Sequence, residues 1–166
     1  MVVADALVKQ AAVRIALAEA VTPGKYLLIF SGPVAEVEES FKAAEASGGA
    51  LIIDRLLLSQ VDAGLVRALN GKCDGMRDGD AIGIVETHTV AAAIMAADTA
   101  VKRANVRITR LQLAKGIGGK GYFTISGAQA DVEAALEGAG AAIESHLLVT
   151  TEIIERPHGD LMGPVF

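Results

Sequence analysis

The stretch Ala4-Asp5-Ala6-Leu7-Val8-Lys9-Gln10-Ala11-Ala12-Val13-Arg14-Ile15 returns 93 residues later as Ala97-Asp98-Thr99-Ala100-Val101-Lys102-Arg103-Ala104-Asn105-Val106-Arg107-Ile108, identical at eight of twelve positions. After a two-residue change of register the match resumes. Gly24-Lys25-Tyr26 through Ser31-Gly32 falls on Gly119-Lys120-Gly121 through Ser126-Gly127, and Ala35-Glu36-Val37-Glu38 falls on Ala130-Asp131-Val132-Glu133. Matches that keep their order and spacing mark an internal duplication, which decides how many folding units the chain holds. The 166 residues thus read as two small domains of about 80 residues each. The first spans 1–72, a linker spans 73–80, and the second spans 81–166 with its C-terminal tail.

The second copy shows the fold most fully. Ala81 to Glu86 is a short apolar strand, and Val90 to Ala104 has the Ala-rich composition of an amphipathic helix. Val106 to Leu113 and Tyr122 to Ser126 are antiparallel strands joined by the glycine-rich turn Lys115-Gly116-Ile117-Gly118-Gly119-Lys120. A second helix from Ala130 to Gly140 and a last strand from Leu147 to Glu155 follow, and Arg156-Pro157-His158 opens the tail. The order β-α-β-β-α-β predicts an α+β, ferredoxin-like split βαβ unit, with helices on one face of an antiparallel sheet. The first copy repeats this order, with its last strand at Leu51 to Leu56, but it starts inside its first helix and has no counterpart of Ala81 to Glu86. An open sheet edge of that kind is normally covered. The expectation is an upstream segment that completes the sheet, or else an atypical edge domain.

Composition narrows the function. Hydrophobic residues make up 52% of the chain, yet no apolar run approaches the ~20 residues of a membrane-spanning helix. The opening residues carry no basic cluster that would mark a secretory or organellar address, so a cytoplasmic location is expected. A net charge of −5, 4% aromatic residues and no Trp speak against nucleic acid. The single cysteine, Cys73, forms no internal disulfide and has no Cys or His companions at metal-ligand spacing, so it reads as a free thiol. His88, His146 and His158 are widely separated, which predicts no metal site in one chain. No Gly-x-Ser-x-Gly elbow is present, and Asp5/Asp98 and Glu38/Glu133 read as helix-surface charges repeated by duplication. No catalytic residue is assigned and no enzyme is expected. The 115–120 loop lacks the spacing of a phosphate-binding loop and reads as a hairpin turn.

Several spaced motifs together resemble the bacterial microcompartment shell proteins: Ala81-Ile82-Gly83-Ile84-Val85-Glu86-Thr87, Ala97-Asp98 with Lys102 and Ala104-Asn105-Val106, the 115–120 loop, and Arg156-Pro157-His158. With Thr22-Pro23-Gly24-Lys25 in the first copy, the chain is most similar to the tandem-domain shell proteins of the propanediol-utilisation type. The resemblance implies a homotrimer forming a pseudohexameric tile in the shell. Such a tile meets other shell proteins edge to edge, with encapsulated enzymes as further partners. It implies that Val21, Thr22 and Pro23 alternate with Gly116, Ile117 and Gly118 around a pore for small metabolites. It also implies tile-edge contacts by Lys9, Lys102, Arg156 and His158. Members of this tandem type carry a cysteine before Pro-Gly-Lys, where three thiolates can hold an iron–sulfur cluster. Thr22 stands there in this chain, and a hydroxyl replaces a soft thiolate poorly, so no cofactor is expected. The competing possibility is a trimeric ferredoxin-like regulator that binds a small ligand between subunits.

Overall fold

The computed structural model describes residues 1–77 and 79–162. The chain divides into two compact units, Met1–Ser59 and the residues from Gln60 onward. The repeat places residues 60–72 in the first domain. In the structure they pack with the second, because α3 (Ala63–Leu69) buries Leu65 and Ala68 in the second unit's core.

The first unit contains α1 (Val2–Gln10), β1 (Arg14–Val21), β2 (Lys25–Ser31) and α2 (Val34–Gly48). The strands form an antiparallel hairpin from Arg14 opposite Ser31 to Val21 opposite Lys25, with an irregularity between Ile15 and Leu17. The two helices pack together, and the buried Ser40 hydroxyl donates to the Leu7 carbonyl at 2.9 Å. This bond ties them where the duplicated positions of the second copy are Ala135 and Ala100.

The strand expected at Leu51 to Leu56 is not part of a sheet. A short 3-10 turn spans Gly49–Leu51, and residues 52–58 then run without ladder partners. The reason is visible in the second unit, where the corresponding strand pairs only with the strand that the first copy lacks.

That second unit contains α3, β3 (Ala81–Thr87), α4 (Val90–Arg103), β4 (Arg107–Leu113), β5 (Gly121–Gly127), α5 (Gln129–Ala141) and β6 (Leu148–Ile154). The sheet order is β4-β5-β3-β6, all neighbours antiparallel. This is the expected split βαβ arrangement, and each expected boundary lies within two residues of the observed one. β3 pairs with β5 along one edge and β6 along the other.

Helix α4 starts where the Thr89 hydroxyl accepts the Ala92 amide at 3.1 Å, a side-chain N-cap. Ala93, Ala96, Ala97 and Ala100 recur at helical spacing and are fully buried, making a smooth stripe that comes very near the sheet. The approach is closest at Gly121, where an added Cβ would sit 2.5 Å from the Ala93 Cβ. Phe123, Ile125, Val85 and Ile108 from the sheet and Val132 and Ala135 from α5 complete the core.

Overpacking so rigid a contact costs about 1–3 kcal/mol. Gly121→Ala is therefore expected to lower the thermal midpoint by several degrees, while Gly75→Ala, whose added Cβ meets nothing within 4 Å, should leave it unchanged. Melting by circular dichroism checks both.

Candidate functional site

Two hairpin tips occupy the same topological place in the two units. In the first unit β1 and β2 are joined by Thr22, Pro23 and Gly24, all exposed, with Gly24 at φ +78° and Val21 buried at the strand end. Only glycine takes that backbone region at no steric cost, which lets so short a connection close. In the second unit residues 114–120 join β4 to β5 after the Leu113–Gly121 pair.

That longer loop folds on itself. The Ala114 amide donates to the Lys120 carbonyl at 2.8 Å and the Gly119 amide to the Ala114 carbonyl at 3.2 Å. Gly116 and Gly118, at φ +74° and +64°, stand exposed at its crest, and among the described residues their amides have no backbone acceptor. Ile117 between them is half-buried. Lys120 forms an ion pair with Glu86 at 2.8 Å, so its charge is matched from β3. The first unit's equivalent, Lys25, has no β3 counterpart to supply that carboxylate.

The duplicated Asp–Lys pairs diverge. Lys9 and Asp5 form an ion pair at 2.6 Å with side chains 73% and 60% exposed. In the second unit Asp98, read from the sequence as a surface charge, is only 5% exposed, and Lys102 is 45% exposed. Its carboxylate accepts the Asp62 amide at 2.9 Å and pairs with Lys102, whose ammonium also reaches the Gln60 carbonyl. Asp62 in turn caps α3 by accepting the Gly64 amide at 2.6 Å. Asp98 and Lys102 therefore hold the entry to α3, and the cover that α3 provides is what buries Asp98. The sequence signal for this helix was a capping Asp before Leu65, Ala68 and Leu69 at helical spacing.

Arg156 is exposed and borders a shallow notch of about 150 Å³ shared with Gly79, Asp80, Glu155 and Pro157. A second notch, of about 60 Å³, lies beside Val34, Val37 and Leu57. Both fall below the roughly 300 Å³ of a small-molecule pocket. His158 is exposed, and its Nδ1 accepts the Asp160 amide at 3.3 Å. Among the described residues no three His, Cys, Asp or Glu side chains gather as a metal site, and no helix is long and apolar enough to cross a membrane. A hydroxyl at Thr22 does not fit an iron–sulfur cluster.

Cys73 lies beside β4. Burial pushes its thiol up from the usual range and the nearby Asp74 carboxylate adds to that, while a hydrogen bond with the Leu111 backbone and the Arg110 charge oppose it.

With this geometry established, comparisons with known proteins agree among themselves. The model of the BMC domain matches residues 1–61 and again 81–157. The chain is 39% identical over 155 residues to the bacterial microcompartment shell protein PduT of Citrobacter freundii, covering 93% of this chain and 84% of that protein. It is 41% identical over 85 residues to the shell protein EutM of Salmonella typhimurium, covering 49% of this chain and 84% of that one. Among solved structures, a microcompartment protein from Desulfitobacterium hafniense superposes with a TM-score of 0.84 at 34% identity, covering 96% of this chain and 88% of that one. A fused permuted hexameric shell protein from the RMM microcompartment superposes with a TM-score of 0.63 at 26% identity, covering 84% and 72%.

Removing a buried acceptor costs about 1–3 kcal/mol. Asp98→Ala should therefore speed hydrogen exchange across α3 by at least tenfold, whereas Asp98→Asn, which keeps the acceptor for Asp62, should show a smaller rise. The raised thiol of Cys73 sets a pH dependence: its thiolate, the reactive form, appears at higher pH than in a free cysteine. Alkylation at pH 8 should run slower than that of a free cysteine peptide and reach half its maximal rate at a higher pH.

Proposed function

The chain belongs to the bacterial microcompartment shell proteins as a two-domain member, and from that premise we propose that three copies close into a pseudohexameric tile with a central pore. The supporting observation is the pair of hairpin tips, short, glycine-containing and at the same topological place in each unit. Two tips per chain make six around a threefold axis, and small residues are what close approach at such an axis requires. The lining would alternate Val21, Thr22 and Pro23 with Gly116, Ile117 and Gly118.

None of these six residues carries a formal charge. The Thr22 hydroxyl and the open amides of Gly116 and Gly118 offer hydrogen bonds, which suits passage of small uncharged or anionic metabolites. Such a pore acts by size and polarity, with no catalytic step and no cluster. At the rim, the exposed Arg156 side chain and Lys9 would meet neighbouring tiles, with Lys102 and His158 beside them. Encapsulated enzymes would lie behind the tile in the shell.

Light scattering should give a native mass near three times 17.1 kDa. Electron microscopy at raised concentration should show hexagonally packed sheets, with Arg156→Ala abolishing the sheets at unchanged mass. A monomer or dimer, or a trimer that never tiles, would refute the tile. For the pore, Thr22→Trp should slow metabolite flux through assembled shells severalfold; unchanged flux would remove Thr22 from the lining.

A further inference from the structure

The second unit shows what covers the duplicated Asp–Lys face. Gln60 offers its carbonyl to Lys102, Asp62 offers its amide to Asp98, and Leu65 enters the core formed with Ala97, Ala100 and Ile108. In the first unit the same helix face is bare. Asp5 and Lys9 pair only with each other among the described residues, and Val8, the counterpart of Val101 beside that core, is 42% exposed.

The covering segment also has a duplicate. Beyond the second helix of each copy the offset is 96 residues: the 3-10 turn Gly49–Leu51 corresponds to Ser145–Leu147, and the helix start at Ala63 to the 3-10 start at Gly159. The caps agree as well. Asp62 accepts the amide of Gly64, two residues on, and His158 accepts the amide of Asp160, two residues on. At this offset Gln60, Asp62 and Leu65 become Arg156, His158 and Leu161.

We infer that the segment Arg156–Leu161 of one copy docks on the Asp5/Lys9 face of a second copy, repeating between chains the contact that Gln60–Leu65 makes with Asp98 and Lys102. In this contact Lys9 donates to the Arg156 carbonyl, the His158 amide donates to the Asp5 carboxylate, and Leu161 covers Val8. The inference rests on the trimer proposed above and supplies its chain-to-chain joint. The interface is heterologous, so three copies joined head to tail close a ring. Only main-chain groups of residues 156 and 158 are engaged, which leaves the Arg156 side chain for the tile edge.

Co-expression of two differently tagged chains tests this, both Cys73→Ser, one carrying Lys9→Cys and the other Arg156→Cys. Mild oxidation should give a disulfide-linked pair containing both tags. Adding Leu161→Asp to the second chain should lower its yield at least tenfold, while Leu161→Met retains it. Gln60→Cys with Lys102→Cys in one chain is the control and should close within that chain. A trimeric mass without the mixed pair would overturn the docking and leave the trimer standing. Closure of Lys9→Cys with Arg156→Cys only within a single chain would overturn it too. A monomer at all concentrations would overturn the docking together with the trimer.

Discussion

The second unit depends on one strand. β3 is the only element that hydrogen-bonds on both edges to strands distant in sequence, joining the β4–β5 hairpin to β6. Each ladder bond contributes only about 1 kcal/mol net, but the strand also sets the floor on which α4 and α5 lie. The first unit shows the same sequence pattern without such a strand: a two-stranded hairpin remains and residues 52–58 find no ladder partners. Propensity alone does not make residues 52–58 a strand; a partner edge does.

Small side chains govern how the helices meet that floor. The alanine stripe of α4 against Gly121 brings backbone near backbone, so the core gains from area and fit more than from bulky groups, and Phe123 is its one large aromatic residue. This explains a chain that is 52% hydrophobic yet only 4% aromatic. A thin, closely packed unit with its hairpin tip exposed is suited to a flat assembly.

Much of this was legible in the sequence because duplication supplies an internal alignment. The β-α-β-β-α-β order, the hairpin tips and the missing strand all follow from comparing the chain with itself. Three features were not legible. Residues 60–72 lie between the repeats and carry a helix too short for periodicity to reveal strongly, so their attachment to the second unit depended on tertiary contacts to Asp98 and Lys102. Asp98 looked like a solvated charge because its duplicate, Asp5, is one; only the presence of α3 separates them. The strand at 51–56 failed because a ladder is a property of two segments, and a local pattern describes one. Duplication thus leaves the two copies chemically unequal: the same Asp–Lys pair serves an internal joint in one unit and stands open in the other.

The central claim is that this two-unit chain builds a threefold tile in which its two copies alternate. Class averages of the purified protein by electron cryomicroscopy test it most directly. A flat disc with threefold symmetry, six lobes of two alternating kinds and a narrow central opening is the expected result. A compact particle without the opening, or one lacking threefold symmetry, would contradict it.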